Sequence, residues 1–574
     1  MRVILALLIS TSFGLLQAQS NRIILDEDYA DWTNINVLGS DPAGDQGNGV
    51  IDFENLWAAN DEDFLFLRFD LGVEINLQEG NEVTIYLDTD NDNTTGLAVE
   101  GIGANLVYNL GDRSGTVYLN SNSTTINHAD INLVSSPTVS SDQFEIAISR
   151  DAMFQGQSLF SGNEVRVLLR NAISNADQIP DFQGGLSYTF QDSISAPLPS
   201  YSIEKLSDLH TRVLSYNVLR DDLFDPSKQA NYSRILKAIG PDIIGFQEIY
   251  DNSSTQTAAK VNSFLPAQWY HAKVNPDVIA VSKYPIISSH NIAPGGNGAF
   301  LIDMSPLQLL FIVAHPPCCS NNSGRQEEID GIMAFIRDAK NGIGPINLPA
   351  NSPIIIVGDM NLVGFNQQVT TFLTGDIIDQ NTYGADFDPD WDSTALEDVK
   401  PLTTNLPMSM TWYNEGSSFS PGRLDYIIYS GSVMSLENSF VLFTPTLTPS
   451  ELTTYDLQAN DVTIASDHLP VVADFDFGTS TAIYQDNVDK SLSLSISPNP
   501  LQERSTIYYI LPQSSSVQIN IFDAAGRKVF SQQTQNGPGS HSANLNASAF
   551  TAGIYYCQLV TDYGSKTSKF VIAE

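Results

Sequence analysis

The chain has 574 residues, 42% apolar, 10% aromatic and 16% charged, a composition that excludes intrinsic disorder, while the length excludes a single hydrophobic core and argues for three folded units. A formal net charge of −39 opposes nonspecific attraction to polyanions and reads either as a solubility device or as a sign of bound cations. Three cysteines are too few for a disulfide framework, so packing must hold the units.

Arg2 is followed by an apolar run over 3–16 and the small-residue end Leu16-Gln17-Ala18. This reads as a signal peptide over 1–18, with the mature chain starting near Gln19. No cysteine follows the run, so no lipid anchor is expected. No later stretch has the roughly 18 apolar residues of a membrane span, and the expected product is exported and soluble.

From Arg22 to about Tyr188, short alternating runs such as 64–69 and 143–148 are broken by Gly, Asn, Asp and Ser. They predict an antiparallel β-sandwich, assigned to 21–195, with Pro180 and the stretch 193–200 read as a linker. Directly after a predicted strand at 83–87, Asp88, Asp90 and Asp92 alternate toward Gly96. That spacing suits either a Ca²⁺ loop or a solvated hairpin, and it lacks the closing Glu of an EF-hand.

Over 206–478 the pattern becomes strands at 212–216, 242–246, 309–314 and 353–357 with helices at 231–239 and 325–339. It predicts strands and helices layered around a buried sheet. A polar linker at 479–491 leads into a compact all-β segment over 492–574, with strands at 517–522, 554–559 and 569–572.

Six pieces of the central segment set polar side chains at the ends of apolar runs: Ser215-Tyr216-Asn217, Gly245-Phe246-Gln247-Glu248, Val313-Ala314-His315, Gly358-Asp359-Met360-Asn361, Arg423-Leu424-Asp425-Tyr426 and Ser466-Asp467-His468-Leu469-Pro470. Phosphoester hydrolysis needs a hard cation on the phosphate oxygens, an activated water and a proton for the leaving oxygen. Glu248 and Asn217 offer oxygen ligands suited to Mg²⁺ or Mn²⁺. Asp359 suits orienting and deprotonating the water, and Asn361 suits holding that water or a phosphoryl oxygen. His468 suits stabilising charge on phosphorus, with Asp425 raising its pKa and fixing its tautomer. Singly, each piece is ordinary: Gly-Asp-x-Asn is a common turn, and a lone His315 is more often structural. The ordered set carries the reading.

In this order the pieces resemble the endonuclease/exonuclease/phosphatase superfamily, which includes pancreatic-type deoxyribonucleases, abasic-site endonucleases, neutral sphingomyelinases and inositol polyphosphate 5-phosphatases. The resemblance implies a four-layer α/β sandwich. It implies a metal at Asn217 and Glu248, the nucleophilic water at Asp359 and Asn361, and the Asp467-His468 pair beside the phosphate, with Asp467 as a further metal ligand. His315 matches the histidine that deoxyribonucleases and sphingomyelinases use near the scissile phosphate, and Asp425 the aspartate that orients the last histidine. Asp277 is placed as a partner of His315.

The implied enzyme is a secreted, metal-dependent phosphodiester hydrolase, first of all an extracellular nuclease, since export argues against abasic-site repair. A sphingomyelinase-like phospholipid phosphodiesterase and a sugar or inositol phosphatase follow. A noncatalytic surface adhesin is the reading from another class. Arg220, Lys273, Lys283, Arg325 and Arg423 are the candidate nucleic-acid patch, whereas an exposed apolar hairpin would favour lipid.

The opening stretch, with Asp31-Trp32, Asp41-Pro42-Ala43-Gly44-Asp45 and Leu56-Trp57-Ala58-Ala59-Asn60-Asp61, resembles family-9-like carbohydrate-binding modules. A polysaccharide partner is implied if Trp32 and Trp57 stack on sugar; buried tryptophans are the alternative. The last segment, with Ile496-Ser497-Pro498-Asn499-Pro500, Asp523-Ala524-Ala525-Gly526-Arg527-Lys528-Val529, Gly553-Ile554-Tyr555 and Lys569-Phe570-Val571-Ile572, resembles the type A sorting domain of the type IX secretion system. It implies that machinery as a partner and passage across the outer membrane. Cys318 and Cys319, just after His315, read either as a vicinal disulfide or as two thiols.

Overall fold

Alternation of buried and outward side chains, the two-residue period of a strand, builds the N-terminal region into two antiparallel sheets. The computed structural model describes residues 22–191, 196–478, 493–497, 504–511, 515–524, 526–537, 539–546, 550–562 and 564–572. The expected signal peptide, the linker at 479–491 and the Pro498-Asn499-Pro500 part of the sorting motif lie outside the described residues. One sheet of the sandwich runs in the order Gly39–Ser40, Phe53–Asn60, Phe64–Ile75, Ser141–Ser149, Val134–Ser136. The facing sheet is centred on Glu164–Asn171 and Val83–Asp88. Phe53, Leu67, Phe69 and Phe144 from the first meet Ile85, Leu106 and Val167 from the second in one core. Leu186–Thr189 pairs with Glu164–Asn171, so Pro180, expected in the linker, lies inside the sandwich.

The central region consists of two six-stranded sheets. Thr211–Asn217 pairs in parallel with Ile243–Gln247 in one sheet, and Leu307–Ala314 with Ile354–Asp359 in the other. The sheets pack face to face through Phe246, Phe311, Val313, Ile355, Val357 and Ile427. A Cβ on Gly245 would stand 2.5 Å from Val357 Cγ2, so glycine sets how closely the sheets approach. Gln229–Ile239 and Ser254–Phe264 are the helices on the first sheet's side. Asn322–Asn341 and Gln367–Thr374 cover the second, through Ile329, Ile332, Met333, Ile336 and Phe372 against Leu310, Ile312 and Ile356. The result is helix, sheet, sheet, helix: four layers.

The chain divides into two compact units, Met1–Gly478 and Thr479–Glu574. Sandwich and central region share the first unit, and their cores are continuous: Ile23, Leu25, Trp32 and Phe66 belong to the same buried cluster as Met408, Met410 and Leu442. Among its described residues the second unit is a small two-sheet β structure around Val517, Ile519, Ile521, Leu559 and Phe570, with Cys557 fully buried among them. Among the described residues no helix is long and apolar enough to cross a membrane.

Glu145 is buried in the first unit at 0% exposure, accepting the indole N–H of Trp32 at 2.9 Å on Oε2 while Oε1 has no hydrogen-bond partner. Burial, against the Trp32 hydrogen bond, holds its pKa well above the ordinary carboxyl value. A raised folded pKa means that the folded state binds this proton more tightly than the unfolded chain. The contribution is therefore full below the unfolded value and is lost as pH rises through the folded one. Glu145→Gln, which cannot ionise, is expected to flatten the decline of thermal stability with rising pH; melting curves across buffers of rising pH with identical slopes for both proteins would refute this.

Candidate active site

The parallel pairs deliver the predicted side chains to one edge. Asn217 closes its strand opposite Gln247, so Asn217 and the next residue along, Glu248, emerge together. Ala314 lies opposite Gly358, which does the same for His315 and Asp359. Asp425 opens an antiparallel strand opposite Asp359, and His468 stands just before the strand Val471–Asp476. Loops at the carboxyl ends of parallel strands are where such sheets present sites. Glu248 and Asn361 both take left-handed backbone, at φ 62° and 50°, the kind of local strain that gathers at functional positions.

Asp359 is the meeting point. Its Oδ2 accepts from Asn217 Nδ2 at 3.1 Å and lies 3.4 Å from His468 Nε2 and 3.6 Å from His315 Nε2. Asn217, fully buried, also donates to Glu248 Oε1 at 3.1 Å, so one amide joins carboxylates carried by the two sheets. Asp359 Oδ1 accepts the backbone N–H of Asn361 at 3.0 Å, and Asn361 Nδ2 donates to the Pro316 carbonyl at 3.0 Å.

Each imidazole has its own carboxylate: His315 Nδ1 bonds Asp277 at 2.5 Å, and His468 Nδ1 bonds Asp425 at 2.8 Å. Burial pulls the His315 pKa down, but the Asp277 hydrogen bond and the charges of Asp359, Asp277 and Glu248 outweigh it and push it up to about 9. At His468 burial is likewise outweighed, by Asp425 and Asp359, and the pKa rises to about 10. Both shifts favour the protonated rings.

Asp467, expected as a metal ligand, accepts from Trp412 Nε1 at 3.3 Å through Oδ2, while its Oδ1 is buried without a hydrogen-bond partner. Hard oxygen donors, an orphaned carboxylate oxygen and an excess of negative charge fit a divalent cation at this edge.

Supporting residues that carry no motif complete the site. Thr411 Oγ1 accepts the Leu424 and Asp425 N–H groups at 2.9 and 2.8 Å, and Asn297 Oδ1 accepts the His315 N–H at 3.0 Å. Tyr250, 41% exposed, follows Glu248 by two positions, within the fields of Glu248 and Arg220. Nothing in the sequence marks them, because they are single polar or aromatic residues, Thr411 and Tyr250 in loops and Asn297 at the start of a strand.

The expected basic patch is mostly not one. Arg325 is fully buried, bonding Gln368 and the Pro317 and Cys319 carbonyls. Arg423, 2% exposed, is paired with Asp398 and Glu27. Lys283 pairs with Asp242 at the opposite end of the Ile243–Gln247 strand. Arg220, exposed, and Lys273, bonded to the Tyr250 and Asn252 carbonyls, stand near Glu248. Cys318 and Cys319 are exposed free thiols, and burial together with Cys319 pushes Cys318 up to about 11.

In the sandwich, Trp32 is 1% exposed and offers a sugar no open face, while the half-buried Trp57 ring has the Arg68 guanidinium over it at 4.3 Å. The Asp88, Asp90 and Asp92 carboxylates accept from groups of their own hairpin region: Asp88 from Gly103 N, Asp90 from Thr95 Oγ1, and Asp92 from Thr94 N. Carboxylates also gather around Asp177, which forms one group with Asp41 and Asp181 and another with Asp45 and Asp52. Burial and these neighbours push Asp41 up to about 7.

Residues 214–468 match the model of the Endonuclease/Exonuclease/phosphatase family, and residues 495–573 that of the Secretion system C-terminal sorting domain. Among solved structures the chain is similar to the human Nocturnin catalytic domain with bound sulfate, at 17% identity over 47% of this chain and 95% of that one, TM-score 0.31. An endonuclease/exonuclease/phosphatase from Beutenbergia cavernae aligns at 13% identity over 63% of this chain and 100% of its own, TM-score 0.28. D. rerio TDP2 complexed with a single strand DNA product aligns at 14% identity over 46% and 98%, TM-score 0.31. A comparison with curated proteins found no match. Residues 214–468 thus form a domain of the endonuclease/exonuclease/phosphatase family, divalent-metal-dependent hydrolases of phosphoester bonds, in a chain whose sorting domain directs it through type IX secretion to the cell surface or the medium.

Proposed function

We propose that this protein is an extracellular nuclease, a phosphodiester hydrolase using Mg²⁺ or Mn²⁺. The observation that carries the reading is the pair of carboxylate-bound imidazoles flanking Asp359, His315 with Asp277 and His468 with Asp425. A diester releases a poor alkoxide leaving group, so two imidazolium N–H groups have two separate tasks.

Glu248 and Asn217, with Asp467, would hold the cation, which when bound neutralises phosphoryl charge and makes water more acidic. Asp359 takes the proton of the attacking water, whose position the acceptor oxygen of Asn361 helps to set. His468, held by Asp425, donates from Nε2 to a phosphoryl oxygen as charge builds. His315, held by Asp277, donates from Nε2 to the leaving oxygen. Tyr250 offers an exposed ring on which a base can stack.

Mature protein assayed with Mg²⁺, Mn²⁺ or Ca²⁺ against duplex DNA, RNA, sphingomyelin and phosphomonoesters is expected to cleave nucleic acid in an EDTA-sensitive manner. Nucleic acid left intact while lipid or monoester is hydrolysed would overturn the nuclease reading and keep the phosphoesterase chemistry. Because Arg220 and Lys273 are the only cations of the expected patch beside the site, binding of duplex DNA should weaken only gently with salt. A log–log slope of about −2 is expected from two phosphate contacts, and a far steeper slope would mean that another basic surface engages the duplex.

A further inference from the structure

We infer that the N-terminal sandwich is a scaffold of the active site, in which Thr138 is a positioning residue that holds in register the loop carrying Asn361 and the loop leading into Asp425. The inference rests on the catalytic reading above. Asn361 lies in the loop between the strand Ile354–Asp359 and the helix Gln367–Thr374, and the sandwich bonds four backbone groups just downstream of it. Thr138 Oγ1 donates to the Leu362 carbonyl at 2.7 Å and Asn76 Nδ2 to the Val363 carbonyl at 2.8 Å. The Ser140 N–H donates to the Gly364 carbonyl at 2.7 Å, and Ser140 Oγ accepts from Asn366 N–H at 3.1 Å.

The second loop, 411–424, is gripped as firmly. Its catalytic end holds Asp425 through Thr411 and Asp467 through Trp412. Its far side is fixed by the sandwich: His128 to the Ser417 carbonyl at 3.0 Å, Arg113 over the Phe419 ring at 4.2 Å, and Gln78 accepting the Ser420 N–H at 2.8 Å. Thr138 joins the two loops, because its hydroxyl also reaches the Arg423 carbonyl at 3.3 Å while its methyl packs where a Cβ on Gly422 would stand, 2.4 Å away. Arg423 is itself paired with Glu27 of the sandwich segment. A site whose loops are fixed from outside is preorganised, and small displacements of such loops are costly to turnover.

Thr138→Val keeps the shape and removes the hydroxyl; Thr138→Ser keeps the hydroxyl. With bis(p-nitrophenyl) phosphate, too small to span the sandwich, Thr138→Val is expected to lower kcat about tenfold with KM little changed, at temperatures where circular dichroism shows it folded. Thr138→Ser should restore turnover, and Asn76→Ala should fall likewise. Wild-type kcat in Thr138→Val, or a loss confined to polymeric substrates, would overturn the scaffold. Deuterium uptake reads the clamp independently of catalysis: it should rise at 361–366 and 411–424 in Thr138→Val, and unchanged uptake overturns the scaffold even if the protein hydrolyses nothing. A wild-type protein equal to Asp359→Asn in every assay, with uptake raised in Thr138→Val, would instead refute the catalytic reading alone.

Discussion

Asp359→Asn is expected to lower kcat by roughly 1,000-fold while leaving the melting curve of the first unit nearly unchanged. The substitution keeps the shape and an acceptor for the Asn217 amide at 3.1 Å, so little packing is lost. What disappears is the carboxylate oxygen that lies 3.4 and 3.6 Å from the two imidazoles and that the proposed mechanism uses to take the proton from water. The loss should fall on kcat rather than KM, since the group acts as bonds to phosphorus change. Full activity in this variant would mean that the water is handled by another residue, and the assignment of Asp277, Asp425 and both histidines around Asp359 would lose its centre.

The second large effect is on stability. Arg212 and Asp474 face each other across neighbouring antiparallel strands of the first central sheet, with side-chain exposures of 1% and 0%. The guanidinium bonds both carboxylate oxygens, at 2.6 and 2.7 Å, and also caps the Ile239 carbonyl at 2.7 Å. Breaking a buried pair by removing one partner leaves an uncompensated charge in the interior and costs about 3–5 kcal/mol. Asp474→Ala should therefore shift the chemical-denaturation midpoint sharply down. Replacing both residues by apolar side chains of similar volume is expected to recover most of that loss, because desolvation of the pair offsets much of its attraction. If the single and double variants were equally destabilised, shape rather than charge would be the cause.

The central strands could be read from sequence because parallel strands buried on both faces are continuous apolar runs: 309–314 and 353–357 were expected, and Leu307–Ala314 and Ile354–Asp359 are found. The polar residues that break those runs at their ends, Asn217, Glu248, His315 and Asp359, could be read for the same reason. The cationic residues could not. Arg325 and Arg423 look like any surface arginine in a sequence, yet carbonyls bind one and Glu27 and Asp398 bind the other in the interior. Whether a charge faces substrate or a buried partner depends on neighbours far away along the chain.

Residue type and order along the chain were enough to specify phosphoester chemistry, the α/β layering of the central domain and export, since each follows from local patterns: strand ends, amphipathic periods and a terminal sorting segment. The role of the sandwich was decided in three dimensions alone. Its grip on the catalytic loops runs through the carbonyls of Leu362, Val363, Gly364, Ser417 and Arg423. Every residue carries the same carbonyl, so nothing in the side-chain order records which ones a distant threonine or asparagine will reach.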